Sequence, residues 1–227
     1  MGEAPKKISA DMLAGDPFHP SQVDFERGMS VAPFFAIALI AANSLAFAWE
    51  LSVGALKSRE AVIAAGAVYG DKVFAGESWR LGSGMFLHAG LGHLIGNCVV
   101  LYILGMVSQR AWGAGYALAI YFASGLSSSL LSAAMQPRPS VGASGAIFGL
   151  LGAVVVFFYR YSGSFRARDR RIGAGLLGWG IFQLSLGFLS PIVDNWGHMG
   201  GLAAGAVLAL VLPSAICEKE PEGASVH

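Results

Sequence analysis

Charge is what this chain has least of. Only 13% of its 227 residues are charged against 55% hydrophobic, with a mean hydropathy of +0.59. That balance excludes an ordinary soluble domain and indicates a polytopic membrane protein. Cysteine is nearly absent too. Cys98 sits within an apolar run and Cys217 after another, which excludes a disulfide framework or a Cys-x-x-Cys pair, so neither disulfide nor metal is expected. No block of Lys and Arg dense enough to track phosphates stands outside the membrane-flanking loops, and the net charge is +1. Nucleic acid is therefore excluded as a partner. Nor does an apolar core follow Met1: the first thirty residues carry Lys6, Lys7, Asp11, Asp16, Asp24, Glu26 and Arg27. No secretory signal is expected, and residues 1–30 are read as a short soluble tail.

Beyond that tail, charged residues cut the chain into six apolar windows, at about 31–53, 86–108, 112–134, 143–160, 172–191 and 195–213. Each has roughly the 20 residues that a helix rising 1.5 Å per residue needs to cross a bilayer. The expected fold is therefore an all-α, six-helix membrane domain over residues 31–213, with a C-terminal tail at 214–227. Turns around Arg110 and Asp194 make hairpins of spans two and three and of spans five and six, leaving about 55–85 as the one long loop. With the N-terminus inside, the 15 Lys and Arg residues divide 10 inside to 5 outside, and the cluster Arg160, Arg166, Arg168, Arg170, Arg171 decides the sign. Both termini are thus expected to be cytoplasmic.

Spans two to six contain no Asp or Glu. That excludes a His-Glu-x-x-His metalloprotease and an aspartyl protease with two membrane carboxylates, since Asp71 falls in the loop. A transporter would place polar groups near midplane across repeated halves, and no such repeat is visible. What the spans do carry is His88, His93 and Asn97 on the second, Ser144 on the fourth and His198 on the sixth. Polar groups in hydrocarbon are functional candidates by default. In the expected topology all five lie near the outer face, a coincidence that scattered packing residues have no reason to show.

Each residue alone has a plainer reading. Ser144 could be a small residue at a tight helix contact, His198 a hydrogen-bonded structural histidine, and His93 with Asn97, four apart on one face, a polar clamp. His88 is off that face and could mark the water interface. Combined, they make the parts of acyl transfer. A serine hydroxyl needs a base, and imidazole, with an ordinary pKa near 6.5, suits that task. A tetrahedral oxyanion needs donors in a dry site, which the Asn97 amide, the His93 ring N–H and the Ser144 backbone N–H could supply. Small-residue stripes of His198, Gly201 and Gly205 on the sixth span and Gly145, Gly149 and Gly152 on the fourth would let the two backbones meet. Phe148, one turn below Ser144, is by spacing either a ring for the imidazole or a lipid-facing or core aromatic. Asp194, four before His198, is read as the cap of the sixth helix rather than a third catalytic member.

The sequence resembles the rhomboid family of intramembrane serine proteases. The resemblance rests on Trp79-Arg80, on His88-Ala-Gly-Leu-Gly-His93-Leu-Ile-Gly-Asn97, on Gly142-Ala143-Ser144-Gly145 and on Asn195-Trp196-Gly197-His198-Met199-Gly200-Gly201, in order across residues 31–213. It implies a six-helix rhomboid-like bundle, a Ser144–His198 dyad, and His93 and Asn97 as oxyanion donors. Gly142, Gly145, Phe148 and His88 are implied as supporting residues. It further implies a water-filled cavity open to the outside, a fifth helix acting as lateral gate, and a first loop structured by Trp79 and Arg80. Phe148 stands where some members have tyrosine, keeping the stack and losing the hydroxyl. The expected partners are membrane-protein substrates with transmembrane segments and the lipid bilayer, with no cofactor. A non-catalytic relative that only binds client helices would lack the serine or the histidine. Ala and Gly richness suggests a bacterial inner membrane.

Overall fold

In the computed structural model, which describes residues 23–190 and 193–217, those residues form no named strand and fold as helices. A short 3-10 turn at Glu26–Gly28 precedes α1, Phe34–Val53. Pro33 lies just before its first turn, where a missing N–H costs nothing. At the other end Gly54 takes a left-handed φ of 71° and its N–H closes onto the Glu50 and Leu51 carbonyls, stopping the helix. Three short helices follow, α2 at Arg59–Ala64, α3 at Gly70–Phe74 and α4 at Arg80–Ser83. Ser58 caps α2 by accepting the Ala61 N–H at 3.1 Å. The segment read from sequence as one long loop is thus mostly helical, in pieces too short for an 11-to-18-residue periodicity to reveal.

α5 runs from Leu91 to Met135, 45 residues interrupted at Gly113, whose φ of 78° and ψ of 167° are open only to glycine. The break expected around Arg110 falls three residues later, at a glycine, where no Cβ forbids it. α6 is Ser144–Arg160, α7 Ala167–Leu189 and α8 Asn195–Val211. The helices Phe34–Val53, Leu91–Met135 and Asp169–Leu189 are long and apolar enough to cross a membrane. Large apolar side chains such as Phe34, Leu45, Ile181, Phe188, Val207 and Leu210 face outward. In water this would be a severe liability; in a bilayer it is the expected surface.

The bundle is organised around α6 and α8. A Cβ added at Gly201 would overlap the Gly145 carbonyl, one at Gly205 the Gly149 carbonyl, and one at Gly152 the Leu202 carbonyl. The two backbones are therefore in direct contact, which only small residues allow. Ser124 and Ser128, on the second limb of α5, fill the notches above Gly149 and Gly145, and Ser127 Oγ donates to the Gly200 carbonyl at 3.2 Å. α7 touches its neighbours along its length, Gly173 lying against Phe158, Gly180 against Leu151 and Gly187 against Asn195. Residues 23–30 of the N-terminal segment do not stand free. Phe25 is fully buried among Phe157, Phe158 and Phe165, its N–H donates to Asp169, and Asp24 pairs with Arg166 at 3.3 Å.

Between α1 and α5, Arg80 organises the connecting helices. Its buried guanidinium donates to the Ile63 and Ala67 carbonyls and, through Nε and Nη2, to Glu77 Oε2 at 2.8 and 2.6 Å, while lying over the Trp79 ring. The Arg80 guanidinium, with help from Lys72, holds the Glu77 carboxyl below the usual carboxylate range. Trp79 and Arg80 thus shape this segment and do not reach the serine and histidine described next.

Candidate active site

Ser144 is the first residue of α6, so its backbone N–H is one of the four at a helix start without an intrahelical acceptor. The strand-like approach to it is fixed on both sides. Val68 and Ser140 exchange backbone hydrogen bonds of 2.9 and 2.8 Å, and the Gly142 N–H donates to the Gly84 carbonyl at 2.9 Å. Gly142 itself holds a φ of 133°, a conformation a side chain would strain. His198 arrives from the first turn of α8, where Asp194 accepts the Gly197 N–H at 2.9 Å and the Ser140 hydroxyl at 2.6 Å. Asp194 therefore caps α8, as its position predicts, and at the same time ties α8 to the segment leading into Ser144.

The result is a 2.9 Å hydrogen bond between His198 Nε2 and Ser144 Oγ. The imidazole is stacked on the Phe148 ring at 4.3 Å between centroids and 15° between planes, the first of the two places that spacing left open to Phe148. His198 Nδ1 is buried with no hydrogen-bond partner among the described residues, so no carboxylate orients the ring in the manner of a soluble triad.

His93 and Asn97 lie beside the chain just ahead of Ser144. A Cβ on Gly142 would come within 2.7 Å of His93 Cε1, 2.9 Å of His93 Nε2 and 3.5 Å of Asn97 Nδ2. Both side chains thus turn toward the same small space as Ser144. The Ala89 N–H donates to His93 Nδ1 at 3.4 Å; an acceptor Nδ1 in a neutral ring leaves the proton on Nε2, the nitrogen facing the site. Asn97 Nδ2 is buried without an acceptor among the described residues. Two side-chain donors and a helix-start N–H therefore converge near one hydroxyl.

These four residues line a cavity of about 850 Å³ whose other walls include Trp179 and Gln183 of α7. No group of three or more metal-ligating side chains occurs among the described residues.

His88 does not mark the water interface, the place that its spacing left open to it: it is fully buried. Its backbone N–H donates to the Glu50 carboxylate, at 2.9 and 3.2 Å to the two oxygens, and its Nδ1 contacts the Phe86 carbonyl at 3.0 Å. The His88 ring then meets the His93 ring edge-on at 5.2 Å. The reason is Glu50, fully buried on α1, which draws the 86–90 turn inward. Sequence reading passed over Glu50, although an acid within the 31–53 window is the signal that marks an expensive intramembrane group. Replacing Glu50 with alanine strands the His88 N–H and is expected to cost about 1–3 kcal/mol. Glu50→Gln keeps an acceptor and costs much less. Thermal unfolding of the purified variants in detergent checks the order.

The chain matches the family model described as Rhomboid domain over residues 75–215. It is 38% identical over 185 residues to rhomboid protease GluP of Bacillus subtilis (strain 168), covering 81% of this chain and 36% of that protein. It is 39% identical over 150 residues to RHOMBOID-like protein 5 of Arabidopsis thaliana, 65% of this chain and 48% of that one. With rhomboid-like protease 3 of Toxoplasma gondii it shares 34% identity over 148 residues, 63% of this chain and 55% of the relative. The chain thus spans between about a third and about half the length of these relatives.

Proposed function

Because this chain belongs to the rhomboid family and is an integral membrane protein, we propose that it is an intramembrane serine endopeptidase. On this reading it hydrolyses peptide bonds in or beside the transmembrane segments of other membrane proteins. The observation that carries the reading is the 2.9 Å contact of His198 Nε2 with Ser144 Oγ. A client-binding relative without catalysis would have no use for a base positioned on a hydroxyl.

In the proposed mechanism His198 Nε2 takes the Ser144 proton as Oγ attacks the scissile carbonyl. The oxyanion that forms is met by the Asn97 amide, the His93 Nε2–H and the Ser144 backbone N–H, donors fixed before the charge appears. Collapse expels the amine, which receives the proton from His198, and a water then releases the acyl group by the same steps. Phe148 holds the imidazole in plane, and Gly145 lets α8 bring it near. Six membrane crossings, counting α5 as two, with both termini cytoplasmic, would set this site toward the outer leaflet; a bacterial inner membrane fits that arrangement. Helical backbone hides its carbonyls in internal hydrogen bonds, so a client must unwind locally to enter the cavity.

An activity-based fluorophosphonate tests the assignment without needing a client. The expected outcome is one covalent adduct, on Ser144, absent from His198→Ala; an adduct elsewhere contradicts the reading. Asp194→Asn is expected to keep labelling and turnover within about tenfold. In a chymotrypsin-like triad the same change costs about 10⁴, and a loss of that size in folded protein would make Asp194 a catalytic member.

A further inference from the structure

The charged side chains on the wall of the catalytic cavity, apart from the histidines, are Arg59, Arg138 and Asp194. Asp194 accepts the Gly197 N–H and the Ser140 hydroxyl, and two arginines against this one carboxylate leave the formal charge of the three positive. Arg59 is held at the rim: its Nη2 donates to the Pro137 carbonyl at 3.2 Å and its guanidinium lies 5.4 Å over the Tyr69 ring. Arg138 is exposed and sits between Pro137 and Pro139, whose rings restrict the backbone that carries it. It is six residues ahead of Ser144, on the same segment that Val68 and Gly84 pin in place. Two arginines from different parts of the chain therefore line the same cavity.

A guanidinium offers a rigid fork of donors that fits a carboxylate, and it stays charged at any working pH. We propose that Arg59 and Arg138 form a subsite for a client carboxylate, an Asp or Glu a few residues from the scissile bond on its water-facing side. The proposal rests on the protease reading above and gives that site a substrate preference. A client with lysine there meets like charge at the rim and is disfavoured.

The test uses the full chain in phosphatidylcholine liposomes with three single-span reporters that differ only in Asp, Ala or Lys at the water-facing flank. The wild type is expected to cleave them in the order Asp, Ala, Lys, with about fivefold in kcat/KM between neighbours, as for a partly screened pair, and to lose the preference in high salt. Arg138→Ala flattens the order and Arg138→Glu inverts it. The ratio is read within each variant, so a general loss of activity cancels, and fluorophosphonate labelling of Ser144 shows that the variant is folded. Equal cleavage of the three reporters by wild type, or a preference unchanged in Arg138→Glu, overturns the proposal. So does a rim effect that appears only with anionic lipid and equally for all reporters, which would make the ligand a lipid headgroup. Wild type that cleaves none of the three contradicts the protease reading itself, and this one with it.

Discussion

His198→Ala is expected to lower turnover by about 10⁴–10⁶-fold, the scale seen when the base of a hydroxyl nucleophile is removed in a soluble serine protease. The protein should remain folded, because the imidazole makes one hydrogen bond and one ring stack, neither of which closes the bundle. Ser144→Ala should lose as much, and the double variant no more than either alone, since the two groups act as one unit. Asn97→Ala removes one oxyanion donor and should cost about 10²–10³-fold. Steady-state cleavage of one reporter by the four variants, each checked by thermal unfolding, reads the whole series. Additive losses for Ser144 and His198 would mean that the two residues do not share a step.

Gly201→Val is expected to have the largest effect on folding. The Gly201 Cβ would overlap the Gly145 carbonyl, and the same conflict recurs one turn on between Gly205 and Gly149. Neither obstacle is a flexible side-chain end; both are backbone within a packed helix. Overpacking in such a place costs about 3 kcal/mol or more, and α8 can escape only by moving away from α6. That movement pulls His198 off Ser144, so whatever variant protein survives should also lose fluorophosphonate labelling. Gly178→Ala is the control. Nothing lies within 4 Å of a Cβ there, and alanine in an exposed helix interior is expected to stabilise by about 0.5–1 kcal/mol. Unfolding midpoints in detergent separate the two cases.

Most of the helical framework is legible in the sequence, because lipid imposes a length and an apolarity that few charged residues interrupt. The fourth and sixth windows, expected at 143–160 and 195–213, end within two residues of α6 and α8. The residues singled out there, Ser144, Phe148 and His198, come together as their spacing implies. Glycine stripes on both helices carry that information, since contact between backbones leaves no choice of side chain. The break between the second and third windows is expected around Arg110, the conspicuous charge, and the helix is interrupted three residues on, where φ is positive, at Gly113. The 55–85 segment is unreadable for a different reason. Its short helices are held by tertiary hydrogen bonds of Arg80 rather than by any periodic face. Glu50 and His88 make the same point. Their partnership joins residues 38 apart, and nothing local in either segment announces the other. The described part of the N-terminal tail is likewise fixed by a distant aromatic cluster into which Phe25 inserts.

The central claim is that Ser144, activated by His198, cuts a client chain within the membrane. Its most direct measurement is cleavage of a single-span reporter co-reconstituted in liposomes with purified wild type or with Ser144→Ala. The account predicts a defined product from wild type and none from Ser144→Ala at equal folded protein. Equal cleavage by both would contradict it and assign the hydrolysis to some other group.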